Sequence, residues 1–125
     1  MSVVDTCFLI DLIREDPGAI RFAEGAPLLS TTSVSAAEFL YGAQISTKPG
    51  VIEAARAFLA HFPILPFDRD AAAIYAEIAA GLRQSGGRIS SFDELIAATA
   101  LRHGEVIVSR DTHFTAIPGL EIIPY

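Results

Sequence analysis

Near the end of the chain, Glu105-Val106-Ile107-Val108-Ser109 carries three consecutive β-branched residues with no polar alternation. A strand that is apolar on successive residues has no face to give to water, so it belongs in a sheet covered on both sides. That requirement constrains everything before it, because such a sheet needs helices packed above and below. The rest of the chain supplies them in alternation with short strand-like runs. Ser2-Val3-Val4-Asp5, Leu28-Leu29-Ser30-Thr31-Thr32 and Ile64-Leu65-Pro66-Phe67 read as strands, with Pro66 placed near a strand end. Glu121-Ile122-Ile123 reads as an edge strand.

Between these runs, apolar residues recur at helical spacing. Phe8 to Arg14 carries Leu9, Leu12 and Ile13, and the turn Asp16-Pro17-Gly18 leads to a short helix over Ala19 to Glu24. Val34, Ala37, Tyr41 and Ile45 form one stripe, and Val51, Ala55, Phe58 and Phe62 form another. Ala71, Ile74, Tyr75, Ile78 and Leu82 line a helix from Asp68 to Gln84, which Ser85-Gly86-Gly87 stops. Leu95 to Arg102 is apolar nearly all round and predicts a buried central helix. Strands separated by helices imply right-handed crossovers and a parallel sheet. The expectation is one α/β domain spanning residues 1–125, with a sheet of about five short strands.

Composition narrows the class. A hydrophobic share of 51% excludes disorder, and no apolar run approaches the ~18 residues of a membrane span. The start, Met1-Ser2-Val3-Val4-Asp5, lacks the basic segment of a signal peptide. One cysteine, Cys7, cannot form an internal disulfide, so a reducing cytoplasm is expected and Cys7 is read as a small core residue. Fifteen Asp and Glu stand against nine Lys and Arg, for a net charge of −6. That balance argues against gripping nucleic acid over the whole surface.

In a parallel sheet, ligands bind beyond the carboxyl ends of the strands. Asp5 follows the first strand, Glu38 lies in the helix after the second, Asp111 follows Val106–Ser109, and Asp93 opens the buried helix. Each has a second reading as a helix cap. Asp5 and Asp111 precede short helices, Ser35-Ala36-Ala37-Glu38 and Ser91-Phe92-Asp93-Glu94 fit the Ser-x-x-Glu capping box, and Ser90 can cap toward Asp93. The box suits Glu94 better than Asp93, so Glu94 is read as structural. Four carboxylates around one pocket raise one another's pKa unless a cation neutralises them. An all-oxygen set of that kind suits Mg²⁺ or Mn²⁺ rather than zinc.

Four stretches carry a family resemblance: Val4-Asp5-Thr6, Ser35-Ala36-Ala37-Glu38-Phe39-Leu40-Tyr41-Gly42, Phe92-Asp93-Glu94-Leu95-Ile96-Ala97-Ala98 and Val108-Ser109-Arg110-Asp111-Thr112-His113-Phe114. Together with the closing Ile117-Pro118-Gly119-Leu120, they resemble the PIN domain, and more narrowly the VapC-type toxins of toxin–antitoxin pairs. The resemblance runs essentially end to end. It implies a three-layer α/β/α sandwich and a Mg²⁺- or Mn²⁺-dependent endoribonuclease, usually dimeric and inhibited by a cognate antitoxin. By motif, the family's metal-binding acids fall on Asp5, Glu38, Asp93 and Asp111, and Thr6 matches a small polar position beside the first.

Cations must still meet the RNA backbone. Arg88 precedes the Asp93 motif and Arg110 abuts Asp111, so both are candidates to hold phosphate through their planar forks. A homodimer is also expected, with a hydrophobic groove on the Val51–Phe62 helix for an antitoxin segment. A receiver domain is disfavoured because the one lysine, Lys48, precedes a mid-chain turn, and an Asp-x-Asp phosphatase because Thr6 and Cys7 follow Asp5. A binding module that keeps the shape but does no chemistry is the rival from a different class. Setting the four proposed ligands aside leaves eleven acids against nine bases, so much of the acidity belongs to one pocket.

Overall fold

The computed structural model describes residues 1–26, 28–87 and 89–125. Among these residues, five parallel strands form one sheet: β1 (Ser2–Val4), β2 (Leu29–Thr32), β3 (Ile64–Leu65), β4 (Ile107–Val108) and β5 (Ile122–Ile123), in the spatial order β3-β2-β1-β4-β5. The connections are α1 (Thr6–Ile13) and α2 (Pro17–Gly25), then α3 (Ser33–Gln44) and α4 (Val51–Leu59), then α5 (Arg69–Gln84) and α6 (Ser91–Arg102). A single 3₁₀ turn, Thr112–Ala116, joins β4 to β5. The expected α/β class, strand count, parallel sheet and edge position of the last strand are all borne out. Pro66 falls just past β3, where its missing N–H interrupts no ladder.

Alternation along the strands builds the layers. Val3 and Ile107 point into one core with Ile78, Leu82, Ile96, Ala97, Ala100 and Phe114, under α5 and α6. Val4 and Val108 point the other way, to Phe8, Leu9, Ala19, Phe39, Ala55 and Leu59, under α1 to α4. This is the reason for the unbroken β-branched run: Ile107 and Val108 are both fully buried, each against a different layer. The sheet is thus the middle of an α/β/α sandwich.

The order of the strands places a switch point at β1. From β1 the chain steps outward to β2 and β3, then returns to the opposite side of β1 for β4 and β5. Connections leaving β1 and β4 therefore diverge to opposite faces, and a crevice opens between their carboxyl ends. Asp5 and Ser109 are the first residues past those two strands.

The central helix begins at Ser91, just before Asp93, with Ser90 as its cap, accepting the Asp93 amide at 3.1 Å as the sequence suggested. One local expectation changes. Glu38 is not part of a capping box: Thr32 is the cap of α3, accepting from the Ser35 amide at 2.9 Å. The Glu38 side chain is therefore free for another task.

Candidate active site

Asp5 is buried at the end of β1 and does two jobs. Its Oδ1 accepts the Phe8 amide at 2.9 Å, capping α1, while Oδ2 accepts the Ser109 hydroxyl at 2.5 Å. Ser109 Oγ in turn accepts the Asp111 amide at 2.9 Å, so one hydroxyl ties the first acid to the segment bearing the last. Asp111 caps the 3₁₀ turn by accepting the His113 amide at 2.9 Å, and the same oxygen stands 3.0 Å from His113 Nδ1. On the other side, the Thr6 hydroxyl donates to Glu38 Oε1 at 2.6 Å, fastening α3 to the start of α1. Asp93 sits in the first turn of α6, its amide held by Ser90.

Electrostatics shows which acids influence one another. The Asp5 carboxyl is pushed up to about 6, chiefly by burial and then by the charges of Asp93 and Asp111; the Ser109 hydroxyl and Phe8 amide pull the other way. Asp93 is also raised, again by burial first and by Asp111, against the Ser90 hydroxyl and His113. Three carboxyls from β1, α6 and the β4 exit thus share one electrostatic neighbourhood. Glu38 joins it through Thr6, the residue next to Asp5. All four acids expected from the sequence are brought to the same sheet edge.

Cys7 is a correction. The expected core residue is exposed in the first turn of α1, because the turn that buries Phe8 and Leu9 rotates Cys7 away from the sheet. Partial burial of its sulfur and the charge of Asp5 push the thiol up to about 11, which disfavours the reactive thiolate. Arg110 leaves β4 beside the site and pairs with Asp11 on α1 at 3.3 Å. Arg88 lies outside the described residues. Sequence reasoning assigned no role to Ser109. A hydroxyl immediately past a central strand and two residues before an acid was the available signal.

A divalent cation suits this donor set. Every side-chain donor is oxygen, and Asp5 is raised chiefly because burial disfavours its anion, with smaller contributions from Asp93 and Asp111. Among the described residues, no three His, Cys, Asp or Glu side chains converge closely enough to coordinate one ion directly. Any cation held here would take part of its shell from water, which Mg²⁺ tolerates.

Residues 2–120 match the PIN domain. The chain belongs to the PIN-domain family. Within it, this PIN domain is of the VapC type: it is 31% identical over 125 aligned residues to the tRNA(fMet)-specific endonuclease VapC of Shigella flexneri, covering 94% of this chain and 92% of that one. The VapC ribonuclease Y4jK of Sinorhizobium fredii is 45% identical over 60 residues; that match covers 48% of this chain and only 43% of the relative. Among solved structures, VapBC2 from Rickettsia felis, bound to a DNA fragment from its promoter, has the same fold, with a TM-score of 0.90 and 23% identity over 99% of this chain and 98% of that one. A toxin–antitoxin complex from Klebsiella pneumoniae matches at a TM-score of 0.76 and 27% identity, covering 98% and 96%.

Proposed function

We infer that this PIN domain is a divalent-metal-dependent endoribonuclease and the toxin of a toxin–antitoxin pair. The observation that supports the reading is that the charges of Asp93 and Asp111 reach Asp5 at the β1 exit, with Glu38 hydrogen-bonded to the neighbouring Thr6. The VapC relatives, one of them a tRNA endonuclease, supply the substrate class. Asp5, Glu38, Asp93 and Asp111 are the residues to hold Mg²⁺ or Mn²⁺, directly or through water. When bound, such an ion lowers the pKa of water and shields the charge of a scissile phosphate.

The chain's own groups do the rest. Hydrolysis joins a water oxygen to phosphorus and releases a bridging oxygen, which takes up a proton. The crevice between the β1 and β4 ends orients the phosphate, and Ser109 and Thr6 hold Asp5 and Glu38 still while it reacts. Arg110, and Arg88 by its place in the sequence, supply cations for neighbouring phosphates. The lone cysteine and the substrate class support a cytoplasmic setting.

The antitoxin reading has its own support. A groove of 460 Å³ between α1, α3 and α4 is lined by Ile10, Ile13, Phe39 and Val51, with Glu38 and Arg14 also on its wall. A segment of antitoxin lying there reaches the acid site. Among the described residues, no helix is long and apolar enough to cross a membrane.

The test is cleavage of RNA by purified protein with Mg²⁺ or Mn²⁺, beside Asp5→Asn. The variant should lose more than the ~10–100-fold that removal of an outer partner costs a metal site. Cleavage that survives EDTA, or that is equal in the variant, refutes the metal assignment. RNA binding without cleavage by either protein, across varied RNAs, identifies a binding module instead.

A further inference from the structure

β4 and β5 lie side by side, and the Ser109 amide donates to Ile123 O at 3.1 Å, so Arg110 and Tyr125 emerge together beside α1. There the Asp11 carboxylate is engaged at both oxygens. The Tyr125 hydroxyl donates to Oδ2 at 2.6 Å, and Arg110 Nη2 forms an ion pair with Oδ1 at 3.3 Å. Phe8, one turn earlier on the same helix face, packs edge-on against the Tyr125 ring at 4.7 Å between centroids. Burial and the neighbouring Asp11 charge push the Tyr125 hydroxyl well above its ordinary pKa, so it stays a donor.

Asp is a poor helix former, and a carboxylate this buried costs stability unless it is fully paired. The Asp11 side chain caps no helix; its partners among the described residues are Arg110 and Tyr125. The exposure of the pair is uneven, at 11% for the Asp11 side chain and 59% for that of Arg110. Asp11 is therefore an anchor within the fold, and most of the guanidinium stands in solvent. A guanidinium has five donors in one plane. The contact with Asp11 uses one nitrogen and leaves the others to point outward, on the residue that precedes Asp111.

We propose that Asp11, braced by Tyr125, is a positioning residue that aims the Arg110 guanidinium at an RNA backbone phosphate beside the scissile bond. A free surface arginine must be ordered when RNA arrives; a tethered one has met that cost in folding. The proposal rests on the ribonuclease reading above.

The experiment measures KM and kcat for cleavage of a fluorescein-labelled single-stranded RNA oligonucleotide in Mg²⁺. The proteins are wild type, Arg110→Ala, Asp11→Asn, Tyr125→Phe and the Asp11→Asn/Arg110→Ala double variant, each with a thermal melt. Arg110→Ala and Asp11→Asn should each raise KM about tenfold with kcat within about twofold, below the ~100-fold that a 1 Å misplacement can cost. The double variant should match Arg110→Ala alone, since partners in one pair are not additive. Tyr125→Phe should raise KM about threefold, and it decides the matter if Asp11→Asn does not fold. A merely structural Asp11 lowers the melting temperature and leaves KM unchanged, which overturns the proposal. So does a lower KM in Asp11→Asn, which means the anchor holds Arg110 away from RNA. A wild type that binds but never cleaves RNA overturns the ribonuclease reading and this proposal together; an active wild type with unchanged variant KM overturns this proposal alone.

Discussion

Replacing Asp5 by Asn exchanges one buried oxygen for an amide nitrogen and leaves the local contacts nearly intact. The amide oxygen still accepts from Phe8 N, and Asn is as good a helix cap as Asp. The new NH₂ faces Ser109 Oγ, which can rotate to accept from it while still receiving the Asp111 amide. What disappears is the charge. In the folded protein the Asp5 carboxyl titrates near 6 rather than 3.8, mainly because burial disfavours the anion. At 1.36 kcal/mol per pKa unit, that shift amounts to about 3 kcal/mol.

The sign follows from proton binding. Between pH 3.8 and about 6 the folded state holds a proton that the unfolded state has released, so stability falls as pH rises through this window. Above it the full penalty applies, and Asn at position 5 carries none. In EDTA at pH 7.5, Asp5→Asn should therefore be more stable than wild type by up to about 3 kcal/mol. For a chain of this size that is about 10 °C in melting temperature. At pH 4 the two melts should coincide. Thermal unfolding followed by circular dichroism from pH 4 to 8 reads the difference directly. Adding MgCl₂ at pH 7.5 should raise the wild-type midpoint and leave the variant nearly unmoved, because ligand binding to the native state stabilises it by mass action. A variant that is less stable than wild type at pH 7.5 without metal, or a gap that does not change with pH, refutes the argument from burial.

Two further outcomes check the Thr6 contact and the assembly. Thr6→Val removes the hydroxyl that holds Glu38 and should lower Mg²⁺-dependent cleavage by roughly 10–100-fold, while Thr6→Ser keeps the donor and most of the activity; equal rates for Val and Ser remove Thr6 from the site. The exposed Tyr41 on α3, Ile45 at its C-terminal end and Ile64 on the edge strand β3 support a homodimer, which light scattering at micromolar concentration should show; a strictly monomeric chain counts against it.

The parts of the fold that were legible in the sequence are those where one physical requirement fixed the residues. Ile107 and Val108 had to be apolar because different layers cover them, and the stripe Ala71, Ile74, Tyr75, Ile78 and Leu82 had to repeat at helical spacing because α5 covers one face. Strand ends were less legible: Glu105 and Ser109 flank β4, and its ladder spans only Ile107–Val108. Cys7 was misread because small size and low polarity fit a core as well as an exposed first turn, and periodicity over a single turn does not separate the two. The network of Asp11, Arg110 and Tyr125 was invisible, since its members are 99 and 114 positions apart from Asp11 and only the β4–β5 pairing brings them together.

Helix capping and a metal site were alternatives on the sequence, and in the structure the two are compatible. Asp5 follows β1 and caps α1, and Asp111 follows β4 and caps the 3₁₀ turn. A cap needs one carboxylate oxygen, because a single amide donor is satisfied by a single acceptor. The second oxygen of each acid is then fixed in direction by the same bond, at the carboxyl edge of the sheet where the crevice opens. Asp5 gives that oxygen to Ser109, so its geometry is set before any cation arrives. Capping thereby orients the acids that the site requires. The same dual use explains why charge can be concentrated here: each carboxylate gains a helix amide that offsets part of its burial, and the rest of the penalty on Asp5 is what a bound cation would relieve.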